Sequence, residues 1–189
     1  LDLLIGSEGT LGVITRARLK LIDAPVGVLG LIVFFDAMEP CLDFVGVARQ
    51  GAGRRGGASI EGSLNPIAIE FLDANALDMA RVRIPDVPME ATAALFIEVA
   101  HGGEAPLELW WEAIVAAGAL AEDTIVADDA SGRVRLQALR HAIPAGVNEA
   151  VVANGMPKIG TDFAVPDGAL ADMMKAYAEV EMPSVCFGH

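Results

Sequence analysis

One arginine lies on the predicted buried face of a helix. Leu136, Ile143 and Val147 recur at helical spacing, and Arg140 falls between the first two. An arginine on an apolar face is uncommon unless its charge meets an anion. Because the planar guanidinium can bind a carboxylate through two parallel hydrogen bonds, Arg140 is our main candidate for holding an acidic substrate. A side chain that reaches out to solvent, or a structural ion pair, would explain the same position.

A second pair of charged residues lies on a predicted strand at residues 158–165. The alternation of side chains places Lys158 and Asp162 on one face of that strand, with the small Gly160 between them. Such a face leaves room for a ligand. The alternative is a strand whose charged face is exposed to solvent.

Three glycines recur near the start of the sequence. Gly6, Gly9 and Gly12 lie between an apolar run and a β-branched run. Glycine allows backbone N–H groups to approach a ligand closely, so the pattern predicts a loop that binds a phosphate or a cofactor. With such a loop at the first residues, we expect the sequence to be a piece of a larger protein.

Two histidines and one glutamate are weaker candidates. His141 should point about 100° away from Arg140 around the helix. His189 follows a short apolar segment, and ligands often bind where strands end. Glu70 interrupts a predicted strand at residues 67–72, so we expect it on an exposed face of the sheet, although a role near a site stays open.

The elements that must position these residues alternate along the chain. Hydrophobic periodicity and turn residues predict strands at 13–21, 28–35, 67–72, 93–100, 124–127, 158–165 and 184–187, and helices at 38–50, 74–81, 107–120, 132–154 and 168–180. This order predicts an α+β fold, a ferredoxin-like antiparallel sheet with helices packed mainly on one face. The break at Asp23 and Pro25 predicts a boundary between residues 1–22 and residues 23–189.

The composition excludes some functions. The net charge of −13 argues against nucleic acid as a partner. No apolar run reaches the roughly 20 residues of a transmembrane helix. Two cysteines without metal-ligand spacing are typical of a reducing compartment, so we expect a cytoplasmic protein, with peripheral membrane association as the alternative. A hydrophobic content of 53% predicts a large core and a surface that meets another domain or a second copy in a homodimer.

Several segments resemble a known family. Residues 5–15 resemble the stretch that closes the flavin-binding domain of the vanillyl-alcohol-oxidase superfamily. Segments of the remaining chain resemble the FAD-linked oxidase C-terminal domain, in that family's order, at residues 68–73, 139–144, 161–166 and 187–189. That branch includes D-lactate dehydrogenases, glycolate oxidase subunits and D-2-hydroxyglutarate dehydrogenases.

The resemblance implies a flavoenzyme that oxidises a 2-hydroxy acid to the 2-oxo acid by hydride transfer to FAD and then passes the electrons to an acceptor. Arg140 would hold the substrate carboxylate, and Lys158 and Asp162 would complete the catalytic set. His189 would be a ligand of a divalent metal such as zinc, which would polarise the substrate hydroxyl. The residues that would lie along the FAD are Gly6, Ser7, Glu8, Gly9, Thr10, Gly12 and Ile14.

The sequence departs from the family pattern in ways that bear on substrate and activity. The sequence stops at His189, before the further metal ligands and the base of the family pattern. We also expect the N-terminal FAD domain to be missing from this sequence, and we therefore expect the chain alone to be inactive. Hydroxyglutarate-type relatives carry a hydroxyl residue one turn after the arginine and a lysine two residues before the strand aspartate. Here Pro144 and Gly160 occupy those positions, which favours a monocarboxylate such as D-lactate or glycolate.

Two alternatives stay open. An alkyl-glycerone-phosphate-type or alcohol-oxidising flavoenzyme would need phosphate or apolar contacts in place of Arg140. A non-catalytic ferredoxin-like module for ligand binding or protein interaction would also suit the acidic charge and the apolar content.

Overall fold

The computed structural model describes residues 2–21, 23–50, 64–155 and 157–188. The strands are β1 (Gly27–Phe35), β2 (Pro66–Asp73), β3 (Ala93–His101), β4 (Ile125–Ala127) and β5 (Phe187–Gly188). The helices are α1 (Met38–Gln50), α2 (Ala74–Arg81), α3 (Leu107–Ala116), α4 (Ala130–Asn154) and α5 (Leu170–Ala178).

The strands form one antiparallel sheet in the order β4-β1-β3-β2-β5. β3 pairs antiparallel with both β1 and β2, so β1 and β2 run parallel to each other on either side of it. This split β-α-β arrangement is the ferredoxin-like pattern. The predicted α+β fold with an antiparallel sheet is therefore confirmed.

The helices pack on both faces of the sheet. On one face, Leu31 and Ile97 pack with Phe44 of α1 and Trp110 of α3. On the other face, a second core joins β1 and β3 to α2 and α4, with members that include Ile32, Phe34, Phe96, Leu77 and Ile143. The prediction of helices mainly on one face is therefore wrong. Because β1 and β3 are apolar at nearly every position, both of their faces require packing partners.

Two predicted strands are irregular. Residues 13–21 and 158–165 have no regular secondary structure, and their apolar side chains are exposed, by 89% at Val13 and 80% at Ile159. Alternating side chains indicate an extended backbone, but a strand also needs a neighbour to pair with. The predicted strand at 184–187 forms only as the short β5, and the helix predicted to reach residue 120 ends at Ala116, shortly before Gly118 adopts a φ of 70°.

Aspartate side chains cap the first turns of α2 and α4. Asp73 and Asp129 are the N-caps of α2 and α4, and each side chain accepts a hydrogen bond from a backbone N–H in the first turn. α4 ends at Asn154, and its C-cap Gly155 has a φ of 63°, the left-handed conformation that glycine favours. Within the described part of the chain, no helix combines the length and apolar character needed to cross a membrane.

Candidate functional site

A cavity of about 340 Å³ lies between β2, α4 and β5, at one edge of the sheet. It is lined by residues of all three elements: Glu70, Leu72, Arg140, His141, Ile143, Pro144, Phe187 and Gly188. Binding sites for small molecules span about 300 to 1,000 Å³, so this cavity suits a ligand of a few heavy atoms. Both apolar and charged groups line it.

The fold brings these side chains together through strand and helix periodicity. Glu70 and Leu72 are two residues apart on β2 and share the sheet face that α4 packs against. On α4, Arg140 and Pro144 are one turn apart and lie beside the buried Ile143. β5 pairs with β2 in the register Leu72↔Phe187, which brings the end of the described chain to the cavity.

An ion pair joins the two charged residues of the cavity. Arg140 donates a hydrogen bond from Nε to Oε2 of Glu70 over 2.6 Å. The Glu70 side chain is only 13% exposed, whereas that of Arg140 is 46% exposed. The predicted exposed position of Glu70 is therefore wrong. Arg140 is exposed, so its predicted place on the buried face of the helix is also wrong. It forms the structural ion pair and also lines the cavity, and its predicted role in carboxylate binding stays a prediction.

His141 also borders the cavity, although its offset from Arg140 predicts a different environment. Viewed down the axis of α4, the lining positions 140, 141, 143 and 144 lie within an arc of about 160°, since successive residues are 100° apart. The cavity is thus wide enough to reach both side chains.

Asp73 fixes β5 beside the cavity, a role that the sequence analysis missed. Its Oδ1 accepts from the N–H of Ala76 over 2.7 Å, and its Oδ2 accepts from the N–H of Cys186 over 2.9 Å. The backbone N–H of Asp73 donates to the carbonyl of Cys186, and the Asn75 side chain donates to the carbonyl of Ser184 over 2.8 Å. The signal that could have revealed the cap is an aspartate between a strand and a helix.

Burial acts against the negative charge of Asp73. It raises the pKa of the Asp73 carboxyl, because desolvation outweighs the hydrogen bonds from Ala76 and Cys186 that lower it. The contacts of this side chain are therefore partly opposed by the cost of keeping it ionised.

The predicted glycine loop forms turns. Gly6 and Gly9 have φ values of 78° and 79°, and the hydroxyl of Thr10 donates to the carbonyl of Ser7 over 2.7 Å. A Cβ at either glycine would meet no atom within 4 Å, so the need for glycine here is conformational and the backbone stays open to a ligand. The exposed loop therefore fits the predicted flavin contact, which stays a prediction, and its candidate residues are Gly6, Ser7, Glu8, Gly9, Thr10, Gly12 and Ile14.

The remaining candidates do not line the cavity in the described part of the chain. Lys158 and Asp162 lie in the exposed irregular segment 158–165, so their predicted strand is wrong and their catalytic role stays a prediction. His189 falls outside the described residues. Its neighbour Gly188 lines the cavity.

The described residues do not fit a metal centre. Across residues 2–21, 23–50, 64–155 and 157–188, no group of three or more His, Cys, Asp or Glu side chains could hold an ion. At the cavity, the carboxylate of Glu70 is engaged by Arg140, which leaves His141 as a single nitrogen donor. One ligand does not make a metal site.

Two curated relatives align with all or most of the chain. The chain is 28% identical to a D-lactate dehydrogenase of Anaerostipes hadrus, in an alignment that covers 100% of this chain and 39% of the relative. It is also 28% identical to a probable mitochondrial D-lactate dehydrogenase of Danio rerio, over 92% of this chain and 32% of that protein. The chain thus spans between about a third and two fifths of the length of these curated relatives.

The sequence pattern of one family matches most of the chain. Residues 57–188 match the family described as FAD linked oxidases, C-terminal domain. The match includes the strands, helices and cavity residues of the site, and it confirms the resemblance drawn from the motifs at residues 68–73, 139–144 and 161–166. The chain belongs to the family of FAD linked oxidases, C-terminal domain.

Proposed function

We propose that the chain is the substrate-binding part of an FAD-dependent oxidoreductase that oxidises a small 2-hydroxy acid to the 2-oxo acid. The observation that carries the proposal is the cavity with Arg140 on its wall. The family and the names of the two relatives support the flavin chemistry and the class of substrate.

The charge of the cavity favours a substrate with one carboxylate. Of the described residues that line it, only Arg140 carries a permanent positive charge, and Glu70 already neutralises part of that charge. Pro144 offers no hydrogen-bond donor one turn further along α4. We infer that a monocarboxylate of the size of D-lactate or glycolate fits better than a dicarboxylate.

Arg140 would orient the acid for oxidation. The Nε–H group of its guanidinium donates to Glu70, and two terminal amino groups are available for a carboxylate in a two-pronged contact. Such a contact fixes the carboxylate and therefore the adjacent α-carbon. The chemistry that FAD would supply when bound is acceptance of the hydride from that carbon, and the hydroxyl proton would pass to a base. Lys158 and Asp162 remain proposed members of the substrate site.

Residues 1–22 would belong with the flavin-binding domain, and residues 23–189 would form the substrate domain. Described side chains of the first segment are exposed although many are apolar, including Leu3, Ile5 and Val13. An apolar exposed segment favours contact with another domain. We expect the 189-residue chain alone to be colourless and inactive, and flavin retained in stoichiometric amount through purification would contradict this.

The proposal is tested by mixing the flavin-loaded enzyme that contains this chain with candidate substrates without oxygen. D-lactate and glycolate should bleach the flavin absorbance, whereas D-2-hydroxyglutarate and a simple primary alcohol should do so much more slowly. Arg140→Ala should strongly raise the dissociation constant of D-lactate, whereas Arg135→Ala, a neighbouring exposed arginine of α4, is the matched control and should leave it nearly unchanged. Equal bleaching by the alcohol, or equal effects of the two variants, would contradict the proposal.

A further inference from the structure

The two partners of the ion pair in the cavity differ in rigidity. Glu70 lies within β2, pairs with Phe96 of β3 in the register of the sheet, and is 13% exposed. Arg140 carries a long side chain on a helix and is 46% exposed. A strand residue held by the sheet can therefore limit the motion of the longer side chain.

Because Arg140 contacts Glu70 through Nε, the terminal amino groups of its guanidinium remain free for a ligand. Glu70 accepts from Nε of Arg140 over 2.6 Å. The guanidinium is a planar group with five N–H donors, and a partner on the Nε side leaves the edge formed by the two terminal amino groups for a second carboxylate. Across the described residues, no hydrogen bond to either terminal amino group of Arg140 is formed.

We propose that Glu70 is a positioning residue that holds the guanidinium of Arg140 so that its terminal amino groups receive the carboxylate of the 2-hydroxy acid. This inference rests on the proposed function of the cavity. Glu70 acts through Arg140, which is the residue that touches the substrate.

The same carboxylate sets a charge limit on the ligand. Glu70 and Arg140 together contribute no net charge to the cavity, so one bound carboxylate makes it negative. A second carboxylate on the ligand would then be repelled by both negative groups. Glu70 therefore also selects monocarboxylates over dicarboxylates.

The test is a double-mutant cycle in the flavin-loaded enzyme that contains this chain. We measure the dissociation constant of D-lactate from the concentration dependence of flavin reduction. Glu70→Ala should raise it about tenfold or more, and Arg140→Ala should raise it further. The double variant should be no worse than Arg140→Ala, because Glu70 has no effect once its partner is gone. Additive losses, as expected for a merely structural Glu70, would overturn the inference.

Glu70→Gln provides a second variant that keeps the shape and the hydrogen-bond acceptor while it removes the charge. D-lactate binding should change by less than about threefold, whereas the preference for D-lactate over D-2-hydroxyglutarate should fall several-fold. An unchanged preference would overturn the selection role. Glu149 lies on α4 and forms an ion pair with Arg83, so Glu149→Ala controls for the loss of a paired glutamate at another position.

The outcomes also separate this inference from the proposed function. If Arg140→Ala leaves the dissociation constant of D-lactate unchanged, the proposed function fails. If Arg140→Ala weakens binding but Glu70→Ala does not, only the positioning role of Glu70 fails.

Discussion

The central strands and the described residues 2–21 both contain many apolar side chains but differ in burial. Leu31 on β1 and Leu95 on β3 are at most 1% exposed, because a layer of helices packs on each face of the sheet. In the first segment, Leu19 is 77% and Leu21 is 83% exposed. The difference shows that apolar side chains alone do not make a strand. A strand also requires a neighbouring strand and a packing layer.

The cavity lies between a well-packed strand and a short strand at the edge of the sheet. Its wall on β2 belongs to the packed sheet, whereas β5 is a short strand at the edge, held by a few hydrogen bonds to Asp73 and Asn75. A site built in this way has a rigid side that carries Glu70 and a side that depends on local contacts.

The largest expected effect comes from a matched pair of leucines. Leu95→Ala should lower the free energy of unfolding by about 2 to 5 kcal/mol, because it creates a cavity in the core. Leu19→Ala should change it by less than about 0.5 kcal/mol, since that side chain is 77% exposed. Urea unfolding of the chain measures both. Similar losses for the two variants would show that the first segment packs like the core.

The next effect concerns the contacts that hold β5. Asp73→Ala should cost about 1 to 3 kcal/mol, because it removes the cap of α2 and the hydrogen bond from Cys186. Asn75→Ala, which removes only the bond to Ser184, should cost about 0.5 to 1.5 kcal/mol. Hydrogen exchange at Phe187 should become faster in the first variant. Unchanged exchange there would mean that other contacts hold β5.

The two helix caps should respond to pH in opposite directions. Burial raises the pKa of Asp73, so its contribution to stability is present below the unfolded pKa and is lost as pH rises through the folded value. The N–H of Gly132, followed by the Ser131 hydroxyl, lowers the pKa of Asp129, so its contribution is present above the unfolded pKa and is lost as pH falls.

Substitutions at the two caps test this difference. From acid to neutral pH, the cost of Asp73→Asn should shrink and the cost of Asp129→Asn should grow. Urea unfolding at a series of pH values measures both costs. Parallel pH dependence in the two variants would contradict the opposite shifts.

The smallest effect on stability is expected in the glycine loop. Gly9→Ala places a side chain at a φ of 79°, which costs about 1 kcal/mol locally, but the exposed loop should transmit little of this to global unfolding. In the flavin-loaded enzyme it should weaken flavin retention more than Gly12→Ala, whose site has no positive φ. Equal flavin retention in the two variants would argue against a flavin contact that depends on the loop conformation.

The sequence predicted best the elements that pair or pack within the described residues. The helix at 38–50 was predicted with the bounds of α1, and the strands at 28–35 and 93–100 were close to β1 and β3. The uninterrupted apolar run of β1 indicates that both faces of this strand are buried, whereas the fold prediction placed the helices mainly on one face of the sheet. For residues 13–21 and 158–165, alternation predicted an extended chain but could not show whether a neighbouring strand exists.

The site was predictable in part for the same reason. Arg140 stood out because its own helix shows an apolar stripe. Its partner Glu70 lies 70 residues away in sequence, and only the sheet topology brings the two together. Asp73 carried a recognisable capping signal, but its bond to Cys186 depends on a pairing across 113 residues.

The most direct test of the central claim is a crystal structure of the flavin-loaded enzyme with oxamate, a non-reacting monocarboxylate analogue of a small 2-oxo acid. The account predicts the carboxylate of oxamate at about 2.7 to 3.1 Å from both terminal amino groups of Arg140, with Glu70 still bound to Nε. Oxamate bound away from Arg140, or Glu70 displaced from the guanidinium, would contradict it.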